Sequence, residues 1–386
     1  MLALLCLMML VGRVAFDCYL PAMPVIQHHF LTNSQHLQLT ITFFSIGFGL
    51  SQLAYGPLSD HFGRRPILLL GLLLFITGSA LAAYAQSIAT LINARLLSGI
   101  GAGAGPVIAR AAARDVYSGK NLARIAALQT LVITFALALA PLLGSILLYY
   151  FSWRADFHFL VLLGTASFLL FWLALQETNT HKTTMRCAKI IRLYGHLLWH
   201  RQFVASALIT SFAFAGLVIY FQLSPFIFQG QYGLSPMTYS LLTLVVCAAY
   251  LLGTLSMSLQ LKHRSLNRIM AHGILAMGAG GALLIYFFIS HHSSLVSTLM
   301  ASAIYIYGTR LIVPSATAHC LSPFKRHAGM AAALLGTLTM GIAGAISFLC
   351  TFPTDTPLLI LGIALSAMAC LALACYPLLI RSTAKA

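Results

Sequence analysis

Residues 56–68 read GPLSDHFGRRPIL, a charged island between two long apolar runs at roughly 39–58 and 67–86. Charged residues are only 7% of the chain, so Asp60, Arg64 and Arg65 gathered here mark a place where the chain leaves an apolar environment. Gly56 and Gly63 permit tight turning at such a surface. The acid and the basic pair form a cluster able to hold a neighbouring element. The stretch therefore predicts a short connection between two membrane helices, with charges that do more than mark topology.

The rest of the chain agrees with that reading. Hydrophobic residues make up 60% of the 386 and the mean hydropathy is +0.92, far above soluble domains. Apolar runs of about 20 residues, enough to cross a bilayer, fall near 1–24, 39–58, 67–86, 88–109, 125–150 and 156–175. Six more follow near 203–228, 238–260, 269–290, 294–316, 327–351 and 356–380. The fold class is thus an all-α integral membrane protein with twelve transmembrane helices. A net charge of +16 would suggest a nucleic-acid partner in a soluble chain, but here its distribution points to the bilayer. Of the 22 Lys and Arg residues, 18 fall in alternate connections or the C-terminal tail, and the opposite connections hold only Arg154. The positive-inside bias then makes both termini and the connection at 176–202 cytoplasmic. Arg13, Arg95 and Arg310 are left inside predicted spans.

Several function classes drop out at this stage. The eight cysteines contain no CxxC pair, which argues against a disulfide framework or a zinc site. No GxxxxGK[ST] loop is present, so ATP-driven transport is not expected, and no cofactor or metal is implied. His196 and His200, four residues apart, read as a solvated basic face in preference to metal ligands. The first run lacks a basic leader and carries an acid, so it predicts a retained span in place of a cleaved signal peptide. Its start at Met1 leaves the initiation codon in question.

The polar, basic stretch 176–202 divides the chain into an N-terminal six-helix half, 1–175, and a C-terminal six-helix half, 203–386, with the stretch itself a cytoplasmic linker carrying a helix. GPLS at 56–59 returns as GTLS at 253–256, 197 residues later, although Met257 stands where Asp60 would be. A weak parallel repeat of two six-span halves is one architecture of secondary transporters.

Five local patterns carry a family resemblance. GPLSDHFGRRPIL (56–68) resembles the loop 2–3 signature of the major facilitator superfamily, LINARLLSGIGAGAG (91–105) its helix 4 signature, and APLLG (140–144) a shortened antiporter motif. FDCYLPAMP (16–24) and ARAAARDVY (109–117) resemble the start and the helix 4 end of the Bcr/CflA multidrug efflux group. The chain is thus similar to the twelve-span drug:proton antiporters, and most similar to that group. The resemblance implies a monomeric transporter of the bacterial inner membrane that exchanges protons for small-molecule substrates. It places Arg95 in proton coupling, and Pro141 and Gly144 in the antiporter motif.

Read residue by residue, Asp17 is the one acid of the first half deep enough to titrate within the membrane, where an ionisable group is a functional candidate by default. Arg13 lies one turn earlier on the same face, a position where the group does not normally carry an arginine. Two readings of Asp17 stay open: proton or substrate coupling, and a neutralised structural pair. Asp60 is expected to accept from a neighbouring helix N-terminus, and Arg64 or Arg65 to reach Asp115. Together with Gly56, Gly63 and Arg114 these residues form a candidate cytoplasmic gate. Pro141 and Gly144 permit a kink and close approach in helix 5. Tyr19, Gln129, Tyr220, Gln222, Phe226 and Arg310 are candidate substrate-cavity residues, with Arg310 favouring an anionic or zwitterionic group.

The sequence reads as a proton-coupled secondary transporter, not an enzyme, that exports small amphipathic drug-like compounds by alternating access. The alternatives are a dedicated exporter of an endogenous metabolite or siderophore, and a proton symporter for uptake.

Overall fold

A chain in hydrocarbon has no water to satisfy its backbone, so each long apolar run must close its own hydrogen bonds as a helix. The computed structural model describes residues 1–179, 187–352 and 356–383, and contains no strand among them. Its first eight α-helices are α1 (Leu2–Asp17), α2 (Met23–His29), α3 (Ser34–Phe62), α4 (Arg64–Ala83), α5 (Ile88–Ala102), α6 (Ala104–Val116), α7 (Gly119–Tyr150) and α8 (Trp153–Ala174). There follow α9 (Cys187–Trp199), α10 (Arg201–Pro225), α11 (Pro236–Gln260), α12 (Leu266–Ile289), α13 (Leu295–Leu321), α14 (Ala328–Leu349) and α15 (Pro357–Thr383). Among the described residues, twelve spans are long and apolar enough to cross a membrane, the first made of α1 with α2 and the fourth of α5 with α6. Lys182, Arg186 and Lys385, counted above toward the cytoplasmic side, lie outside the described residues.

Polar caps set where helices begin. The side chains of Asn33, Ser87, Ser235 and Ser265 accept from the backbone N–H three residues on. Ser294 and Ser297 do so reciprocally in a capping box. Proline sets where the first span breaks. Pro21 has no N–H to offer the Asp17 carbonyl, so α1 ends there and the chain passes through a 3-10 turn, Leu20–Ala22, into α2. The fourth span breaks in the same way at Gly103, four residues after Gly99 and three before Pro106.

Two compact units result. One comprises Met1–Ile191 with Ala332–Thr337, the other Arg192–Ala331 with Leu338–Ala386. Inside each unit, small residues let helices approach closely. In the second, a Cβ on Gly273 would lie 2.8 Å from the Gly308 carbonyl, a spacing that needs glycine.

The connection at 56–68 differs from its expected form. Gly56 makes no turn: α3 stays helical through Gly56, Pro57 and Asp60 to Phe62, and α4 begins at Arg64. Gly63 alone joins them, at φ +114° and ψ 157°, a conformation essentially confined to glycine. A Cβ there would also lie 2.9 Å from the Glu177 carboxyl carbon. Gly63→Ala is expected to cost about 2 kcal/mol, seen as a lower midpoint in thermal unfolding of the detergent-solubilised protein. An unchanged midpoint would contradict the strained turn.

Candidate functional site

The break in the first span puts Asp17 on the last residue of α1, wholly buried. Arg13, one turn earlier, meets it with two nitrogens: Nε lies 2.5 Å from Oδ2 and Nη2 donates to Oδ1 at 3.0 Å. The helix therefore carries its own part-buried ion pair at i, i+4. Gly144 of α7 presses on the carbonyl of Cys18, next to Asp17, where any side chain would collide. The antiporter-like APLLG stretch thus packs against the break in α1.

Arg95, on α5, is also fully buried, and none of its side-chain nitrogens has a hydrogen-bond partner among the described residues. Its guanidinium instead sits over the ring faces of Tyr19 and Phe44, 4.4 and 4.2 Å from their centroids. Tyr19 is held in turn by a 3.0 Å bond between its hydroxyl and Thr40. Arg95 and Asp17 are not partners: one meets aromatic faces, the other Arg13. What joins the two groups is covalent, since Tyr19 lies two residues beyond Asp17 on the broken span.

Asp17 is not the one deep acid of the first half, as expected from sequence. Asp156, in the first turn of α8, is equally buried, and neither carboxylate oxygen has a hydrogen-bond partner among the described residues. Both acids lie within electrostatic reach of Cys18. In sequence, Asp156 stands at the very start of a predicted span beside Arg154, where a solvated acid is ordinary. Arg154 turns away, to the Ala85 carbonyl at 3.1 Å and the face of Trp153. The signal that could have found Asp156 is its position four residues past Ser152, inside the helix that Ser152 precedes.

At the other end of this unit, Arg64 gathers a cluster. Its Nε donates to Asp115 at 3.0 Å, its Nη1 to the buried Ser59 hydroxyl at 2.8 Å, and it also pairs with Asp60 one turn back on α3. Asp60 does not receive the neighbouring helix N-terminus. Glu177 does, accepting from the backbone N–H of Arg64 at 2.8 Å, of Arg65 at 3.2 Å and of Asn179 at 2.9 Å. Asn179 then donates to the Asp60 carbonyl at 2.9 Å. Arg65 does not reach Asp115 but bonds the Trp172 carbonyl and lies over its ring. Arg114 bonds the Arg110 carbonyl through Nε and lies within electrostatic reach of Arg64, Asp60 and Asp115. The cluster ties the ends of α3, α4 and α6 to the segment after α8.

Tyr19 is buried beneath Arg95, and Gln129 of α7 is buried with its amide nitrogen unpartnered among the described residues. In the second unit, Tyr220, Gln222 and Phe226 are buried at the end of α10, where Pro225 gives way to a π-helical turn. Gln222 is satisfied by Ser347: it donates to that residue's carbonyl at 3.2 Å and accepts from its hydroxyl. Arg310, midway along α13, donates to Thr254 at 2.8 Å and to the Tyr250 hydroxyl at 3.1 Å. No group of three or more His, Cys, Asp or Glu among the described residues is arranged for a metal. His196 and His200 both stand edge-on to Phe324.

Comparison with known proteins gives these geometries a setting. Residues 5–348 match the family described as Major Facilitator Superfamily. The chain is similar to the uncharacterized MFS-type transporter YdgK of Bacillus subtilis (strain 168), at 31% identity over 353 residues, covering 89% of this chain and 86% of that one. It is similar to Multidrug resistance protein D of Escherichia coli (strain K12), at 28% identity over 376 residues, covering 97% and 94%. Among solved structures, a D-xylose-proton symporter aligns with a TM-score of 0.77 over 96% of each chain, and at 15% identity that likeness is one of fold.

Removing one member of a buried pair strands the other. Asp17→Asn is therefore expected to lower the thermal midpoint more than the double change Arg13→Gln with Asp17→Asn, with a coupling of about 1–3 kcal/mol in the double-mutant cycle. Additive effects would contradict the pair.

Proposed function

The chain belongs to the Major Facilitator Superfamily, and we propose that it is a proton-coupled exporter of small amphipathic, drug-like compounds working by alternating access. That it is a membrane transporter and not an enzyme follows from the family and the relatives. Its twelve spans make it a multi-pass membrane protein. The finer reading includes the bacterial inner membrane, a monomeric state and cytoplasmic termini, the last supported by the one-sided distribution of Lys and Arg.

One observation carries the proton coupling: a fully buried carboxylate at a helix break, paired among the described residues with the arginine one turn before it. While Asp17 is ionised, the two charges cancel. A proton on Asp17 removes the negative charge that faces the Arg13 guanidinium and weakens their pairing, a change on the order of 1–3 kcal/mol between two interacting groups. A bias of that size shifts the populations of two conformations. Arg13, which weakens the case for Asp17 in sequence, becomes in this reading the device that converts a protonation into a conformational bias. Tyr19 carries the movement to Arg95, whose charge rests on that ring. Gly144 and Pro141 keep α7 against the same break.

The Arg64 cluster serves as the cytoplasmic gate in this mechanism. Its charge-assisted bonds hold in one state and part in the other, with Glu177 as a member that the sequence motif does not include.

The test is proton movement in proteoliposomes, followed with a pH-sensitive dye as amphipathic antibiotics and dyes are added singly. The expected result is proton flux with at least one compound. In Asp17→Asn that coupled flux is expected to disappear while downhill exchange of the same compound continues. Full coupled transport by Asp17→Asn would overturn the reading.

A further inference from the structure

Arg310 is a cation with no acid paired to it among the described residues. It lies midway along the span Leu295–Phe324, roughly 20 Å from either end at the rise of a helix, beyond the reach of its side chain to an interface. The chain has six Asp and Glu residues, and in the second unit the sequence contains only Asp355, which lies outside the described residues. None of the ion pairs among the described residues includes Arg310. A charge at this depth is costly unless it faces protein or a watery cavity, and Arg310 is half-buried, not sealed like Arg95.

The surroundings of Arg310 are built to aim it. Gly253 of α11 lets α13 come so close that a Cβ there would lie 2.7 Å from the Arg310 Cβ. The guanidinium lies 4.6 Å from the Tyr250 ring centroid and donates through Nε to Thr254 and through Nη1 to Tyr250. These neutral acceptors and the ring fix the plane of the group without cancelling its charge. Nη2 keeps its donors free of any partner among the described residues. Gly253 and Thr254 are the first residues of the GTLS echo, so the second copy of that stretch seats an arginine where the first copy leads to a salt-bridge cluster.

We propose that Arg310, positioned by Tyr250 and Thr254, is a binding site for the anionic group of the transported compound, a carboxylate or similar oxyanion joined to an apolar body. The inference rests on the transporter reading above and names its substrate class: amphipathic acids and zwitterions, in preference to cations or neutral compounds. A planar guanidinium pairs with a carboxylate through two parallel bonds, and the aromatic ring beside it suits the apolar remainder.

The experiment uses the full-length protein in phosphatidylcholine nanodiscs and two fluorescent probes of nearly equal size, dansylglycine and its carboxamide. The acid is expected to bind at least about tenfold more tightly than the amide. Arg310→Gln is expected to abolish that preference, Arg310→Lys to retain part of it, and Tyr250→Phe to reduce it. Thermal unfolding confirms that each variant is folded, and Arg310→Lys keeps the test decisive if Arg310→Gln is not. Equal binding of acid and amide, failure of both to bind, or a preference that survives Arg310→Gln would each overturn the proposal. Nanodiscs of phosphatidylglycerol identify a lipid source. Loss of dansylglycine binding there, with binding kept in phosphatidylcholine, means that a lipid phosphate competes for the same cation. That outcome supports the oxyanion site. No proton gradient is present, so failure here leaves proton coupling standing. A normal preference in Asp17→Asn that has lost coupled flux shows the converse.

Discussion

Hydrocarbon offers a buried charge no solvent, and the structure is organised around how each such charge is met. Arg13 is met by a carboxylate on its own helix. Arg95 is met by two aromatic faces and Arg310 by a hydroxyl pair and a ring, while Asp156 has no hydrogen-bond partner among the described residues. These are different energetic situations. A matched pair is balanced until something protonates one member. A cation over rings is stabilised by a quadrupole that does not titrate, so it stays charged. A cation seated on neutral acceptors keeps an unspent charge for a ligand.

The backbone makes these arrangements possible. Pro21 ends α1 at Asp17, and Gly144 admits α7 to the carbonyl just beyond, so the carboxylate sits where the helix can flex and a neighbour can sense it. At the α3–α4 junction, a single glycine places two consecutive backbone N–H groups on Glu177, freeing the side chain of Arg64 for Asp60, Ser59 and Asp115. The charges of the 56–68 stretch hold a helix junction.

Much of this was legible in the sequence. Apolar run length gave the twelve helices, because a span has no alternative to closing its own hydrogen bonds. The i, i+4 spacing gave the Arg13–Asp17 contact, and the charge cluster pointed Arg64 or Arg65 at Asp115, of which the fold uses Arg64. What escaped the sequence depended on tertiary neighbours. Glu177 reads as one more residue of a polar linker, and only the fold brings it to the α4 N-terminus. Asp156 reads as an interfacial acid, and only packing shows it sealed. Gly56 reads as a turn residue beside Pro57, but a helix in lipid continues past both because breaking it would leave backbone groups unsatisfied. Gln222 reads as an exposed pocket group until Ser347, far along the chain, is seen to satisfy it.

The central claim is that Asp17 takes up and releases a proton while paired with Arg13. Infrared difference spectra of the reconstituted protein, recorded between high and low pH, report protonated carboxyl groups directly. The account predicts a protonated-carboxyl band that grows as pH falls, is missing in Asp17→Asn, and persists in Asp156→Asn. A spectrum in which Asp17→Asn removes no such band at any pH would contradict it.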